Sequence, residues 1–84
     1  MRTNRLFAVE RYDSADDAPT RFPDLPDPIR LVGAVYVPAD EVVIALVEGE
    51  DEHSVVATLR ASGWRVDRIS PATWLNEMLD GRTP

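Results

Sequence analysis

The densest apolar run in this chain is Glu41–Glu48 (E-V-V-I-A-L-V-E), where six consecutive apolar residues lie between two carboxylates. Side chains alternate between faces along a strand. Val42, Ile44 and Leu46 therefore share one side, and Val43, Ala45 and Val47 the other. A strand with one solvated face alternates apolar and polar residues, and this one does not. It predicts a sheet that needs cover on both sides.

Weaker runs flank it. Arg5–Tyr12 (R-L-F-A-V-E-R-Y) predicts a first strand whose mixed end emerges toward solvent after Val9. Arg30–Val37 (R-L-V-G-A-V-Y-V) predicts a second, with Gly33 marking a bulge or a close approach. Pro38-Ala39-Asp40 supplies turn chemistry, so the second strand and Glu41–Glu48 are expected to form an antiparallel hairpin. Asp51 then caps a helix from Glu52 to about Ser62, with Val55, Val56 and Leu59 on one side and Gly63 as its left-handed stop. Trp64–Ile69 alternates as a short edge strand whose charges discourage pairing. Ser70-Pro71 reads as the cap and first residue of a C-terminal helix carrying Trp74, Leu75, Met78 and Leu79 and ending at Gly81.

Asp13–Ile29 breaks the pattern. Ser14 can cap a single turn through Ala15–Ala18, but prolines follow at 19, 23, 26 and 28. Each fixes φ, lacks an amide hydrogen and disfavours helix at the preceding residue. The expectation is an ordered loop pinned by Phe22, Leu25 and Ile29.

The order strand–loop–strand–strand–helix–strand is the ferredoxin-like, split βαβ arrangement. The expected fold is thus a single α+β domain over residues 1–84, with an antiparallel four-stranded sheet, a proline-rich loop for the first helix and an extra C-terminal helix. Eighty-four residues bury only roughly 60–65% of their unfolded surface. Dimerisation is a common remedy, and a homodimer is expected. Val42, Ile44 and Leu46 are assigned to the helix-covered face. Val43, Ala45 and Val47, with Val32 and Tyr36 nearby, are assigned to the dimer contact.

Charge narrows the partners. The net charge is −6, and the nine basic residues are all arginine and scattered. Nucleic-acid binding needs a concentrated positive surface, so no nucleic-acid partner is expected. No apolar run approaches the roughly 20 residues of a membrane span, and Met1–Glu10 lacks the apolar core of a signal peptide. With no cysteine, disulfides and thiolate chemistry are excluded, and a cytoplasmic location is expected. Lysine-free usage rich in Ala, Val, Arg and Asp points to a GC-rich bacterial genome.

The segment V-I-A-L-V-E-G-E-D-E-H-S-V-V-A-T-L-R-A-S-G-W-R-V-D-R-I, Val43–Ile69, with L-F-A-V-E-R near the start, resembles a family of small ferredoxin-like nickel-binding proteins of actinobacterial type. Glu48, Gly63, Asp67 and Ile69 match its frame. The resemblance implies the fold and pairing of that family. The metal positions are not retained: Ala45 stands where a cysteine is common, Leu59 and Arg60 where a histidine is, and Trp64 where another follows the glycine. Alanine, leucine and tryptophan offer nickel no donor.

Other candidate chemistry is sparse. His53, the only histidine, lies in an acidic first turn and is a weak metal candidate. Glu10, Glu48 and Asp67 could serve as an acid–base group only if one cleft held them together. Tyr36 and Trp64 could line an apolar ligand pocket, although such aromatics more often fill cores or interfaces. No phosphate loop, nucleophile elbow or Ser/His/Asp set occurs. A non-catalytic homodimeric binding or assembly module without a cofactor is therefore expected. The alternatives are a nickel-type metal binder and a small dimeric α+β-barrel enzyme acting on an apolar metabolite.

Overall fold

A computed structural model describes residues 4–75. Its elements are β1 (Arg5–Tyr12), β2 (Arg30–Val37), a 3-10 turn (Pro38–Asp40), β3 (Val42–Gly49), α1 (Glu52–Ala61) and β4 (Arg68–Ala72). They form a four-stranded sheet in the order β2-β3-β1-β4, antiparallel at every step. The protein is thus an α+β chain, with an open sheet and one α-helix among the described residues.

The hairpin forms as expected. Glu41 closes it in the left-handed region at φ 51°, its N–H bonding to the Pro38 carbonyl at 3.2 Å. The pairing of β2 with β3 slips between Leu31 and Gly33, so a bulge lies at Val32. The helix is closed by local chemistry at both ends. The Asp51 carboxylate accepts the Ser54 N–H at 2.7 Å. Gly63, at φ +86°, lets its own N–H reach Arg60 O at 3.0 Å and the Trp64 N–H reach Leu59 O at 2.9 Å.

The inward face is the reverse of the expectation. Val55 and Leu59 of α1 pack against Phe7 and Val9 of β1 and Val43, Ala45 and Val47 of β3. Ile29 and the partly buried Phe22 and Leu25 of the loop join the same cluster. Ala45 and Val47 are 0% exposed, so Val43, Ala45 and Val47 have no surface left for a partner. Val42, Ile44 and Leu46, expected beneath the helix, point to the opposite side. Tyr36 pairs with Val43, on the helix side, and Val32 sits exposed at the bulge.

The chain end differs too. Trp64 turns inward to finish the helix, so pairing with β1 is delayed to Arg68, opposite Glu10. The last strand is Arg68–Ala72 rather than Trp64–Ile69, and Ser70 and Pro71 belong to it rather than to a helix start. An edge strand tolerates proline because one side needs no amide donor. No helix includes residues 73–75; the remainder of the expected C-terminal helix lies outside the described residues. The two edges of the sheet are unlike. β4 carries Arg68 and Pro71, whereas β2 has no charge or proline from Leu31 to Val37.

Candidate functional site

Two surfaces emerge from this architecture, one on each side of the sheet. On the helix side α1 is the only helix among the described residues, and the proline-rich segment stands over the β2 half. An irregular loop fills that space less completely than a helix. A cavity of about 330 Å³ remains, with Arg21, Phe22, Val35, Tyr36, Val43 and Trp64 among its walls. The structure therefore brings together Tyr36 and Trp64, two residues 28 positions apart in the sequence.

Trp64 is only 5% exposed. Its ring centroid lies 4.3 Å from that of Phe22, tilted by 42°. The Arg11 guanidinium stands 4.6 Å over it, within cation–π range. The indole Nε1 is buried and has no hydrogen-bond acceptor among the described residues.

Behind this wall runs a charged network. The buried Asp13 carboxylate lies 2.7 Å from Arg11 Nε and 3.3 Å from Arg65. Its contact with Arg11 is an ion pair whose N–H is not aligned with the oxygen. Arg65 also donates to the Tyr12 carbonyl and to Asp67, the latter at 3.0 Å. The Asp67 carboxyl is held below its ordinary range, chiefly by the Tyr12 N–H and then by Arg65. The bond to Asp67 in turn raises Arg65. Tyr36 donates to the Asp13 carbonyl at 3.3 Å. Burial raises its hydroxyl pKa first, and Glu41, Asp13 and Asp16 add to the shift. This cluster was missed from the sequence, because Asp13 and Arg65 lie 52 positions apart and form no motif.

The other side of the sheet is defined by register. Leu6, Ala8, Glu10 and Tyr12 of β1 stand opposite Glu48, Leu46, Ile44 and Val42 of β3. Val35 and Val37 extend the row on β2, and Arg68, Ser70 and Ala72 on β4. Neither α1 nor the loop packs here. Leu6 and Val42 are buried, Ala8, Ile44, Leu46 and Val37 are partly exposed, and Val35 is 59% exposed. The charges of this face form two pairs, Arg30–Glu48 at 2.7 Å and Arg68–Glu10 at 4.0 Å.

The remaining candidates do not converge. Glu10 and Glu48 share the second face but lie about 13 Å apart along β1, since Glu48 is opposite Leu6. Asp67 engages Arg65 instead. His53 is exposed in the first turn of α1 and lines a separate cleft with Pro28, Ile29 and Glu50. Among the described residues no three His, Asp or Glu side chains gather to hold a metal ion. The nickel positions of the resembled family do not fit that metal, because Ala45, Leu59 and Trp64 are buried and apolar there.

No family model, no curated protein and no solved structure matches the chain. Among the described residues no helix is long and apolar enough to cross a membrane. The class that fold and site define is an α+β sheet protein with a covered face, a cleft at one end of it, and an apolar second face.

Proposed function

We propose that the protein is a non-catalytic assembly module of ferredoxin-like architecture that works as a homodimer, two copies meeting through their second sheet faces. The strand order β2-β3-β1-β4 supports the architecture, with the proline-rich segment where a first helix would lie. The observation that carries the dimer is the second face itself. It presents Ala8, Val35, Val37, Ile44 and Leu46 in one field, with Leu6 and Val42 buried between them.

Its charges balance. Arg30 and Arg68 are matched by Glu10 and Glu48, although the chain as a whole carries −6. Two copies can therefore stack there without the like-charge penalty that the rest of the surface imposes. Strands about 4.8 Å apart at about 3.3 Å per residue, eight residues in β1, β2 and β3 and five in β4, give a face of roughly 460 Å². A pair then buries about twice that, close to the level of roughly 1,000 Å² at which a specific interface becomes sustainable.

Sedimentation of wild type and Ile44→Asp tests this reading. Wild type is expected as a dimer at about twice 9.4 kDa, and Ile44→Asp as a folded monomer. Val47→Asp is the control: it places a charge where exposure is 0% and unfolds the chain. A wild type that stays monomeric at millimolar concentration refutes the proposal.

A further inference from the structure

The cleft under the proline-rich segment is separate from the dimerising face, and its chemistry points to a ligand. We propose that it binds a compact apolar monocarboxylate. The hydrocarbon part would lie against Leu31, Ala34 and the Phe22–Trp64 pair, with the carboxylate at Arg21.

Size sets the first limit. A cavity of about 330 Å³ has room for roughly eleven water-sized groups, at about 30 Å³ each. That is the low end of ligand sites. It suits a small acid.

The polar groups set the second. A ligand is oriented by groups the protein leaves unpaired, and the charged one lining this cleft is Arg21. Arg21 makes no ion pair among the described residues, whereas Arg11 and Arg65 nearby are both held by carboxylates. A guanidinium offers no lone pair, so the ligand must bring acceptor oxygens. A carboxylate supplies two and forms a charge-assisted contact with a guanidinium.

Cations are disfavoured at the aromatic wall. Trp64 already carries Arg11 over its ring and Phe22 beside it. The hydroxyl end of Tyr36 is also unsuited to the carboxylate, because Asp13, Asp16 and Glu41 make it negative. That directs the charged end of the ligand toward Arg21 and leaves the Tyr36 ring as a wall.

Phenylacetate, with ten non-hydrogen atoms, is a fitting probe, and phenylacetamide and phenethylamine are its neutral and cationic twins. Proton–nitrogen NMR of the full chain, with the Trp64 indole resonance assigned through Trp74→Phe, reads the binding. Phenylacetate is expected to shift that resonance and the amides of 20–22 and 34–36, saturating with a Kd of about 1 mM or tighter. Arg21→Gln, at an exposed loop position, is expected to keep the fold and weaken binding about tenfold, and phenylacetamide to bind about tenfold more weakly than phenylacetate. The proposal is overturned by no saturable shift up to about 20 mM. It is equally overturned by an unchanged Kd in Arg21→Gln, or by either twin binding as tightly as the acid.

Discussion

Gly49 is the point where α1 and the proline-rich segment both press on the sheet, and adding one methyl group there measures how tightly they meet. A Cβ at this position would lie 2.5 Å from Val55 Cγ2 and 2.8 Å from Ile29 Cδ1. Carbon atoms rest at about 3.5–4.0 Å, so something must move by about 1 Å. Val55 is 0% exposed and has no free space to turn into, whereas Ile29 borders the cleft beside His53 and can yield in part. Overpacking of this kind costs about 1–3 kcal/mol. The loss of backbone freedom in the unfolded chain returns about 0.4–1 kcal/mol. Gly49→Ala should therefore destabilise by about 1.5 kcal/mol, against a total of about 4–13 kcal/mol for a chain this long. With a urea slope near 1 kcal/mol/M, the midpoint should fall by about 1.5 M. Gly33→Ala is the control, because a Cβ there meets nothing within 4 Å, and its midpoint should rise by about 0.4–1 M. An unfolding midpoint for Gly49→Ala at or above wild type would refute the packing described for this corner.

Two further outcomes follow from local chemistry. Glu41 is the non-glycine residue held at positive φ among the described residues, so Glu41→Gly should raise stability by up to about 1 kcal/mol, and a lower melting temperature would contradict that. Asp67 and Asp51 are both held below the ordinary carboxylate range, by the Tyr12 N–H and the Ser54 N–H respectively. Each contributes stability that is complete above the unfolded value of about 3.9 and lost as pH falls through the lower folded value. Melting temperature should therefore drop below about pH 4, and Asp67→Asn should flatten that drop; an equal slope in the variant would argue against the Tyr12 contact.

The first three strands and the ends of α1 were readable because their signals are local. Asp51 and Gly63 act on backbone groups within a few residues, and the hairpin needs only its own turn. The inward face was not readable from β3, whose two faces are equally apolar. The discriminating signal lay in its neighbours: Glu10, Arg30, Glu48 and Arg68 all fall beside Val42, Ile44 and Leu46, but only once the register is known. Ser70-Pro71 misled because the same pair suits a helix start and an edge strand. At the cleft, Tyr36 and Trp64 stood out as aromatic residues, yet nothing in the sequence joined them. Arg21 was unremarked because it lies among prolines with no periodicity to give it a side.

The unequal margins of the sheet set a limit on crowding. The β2 margin offers bare backbone to a newcomer, while Arg68 and Pro71 refuse one at β4. A strand-by-strand chain reaction needs two welcoming borders, and this molecule has one. Pairing along that direction alone would close on itself after a single encounter.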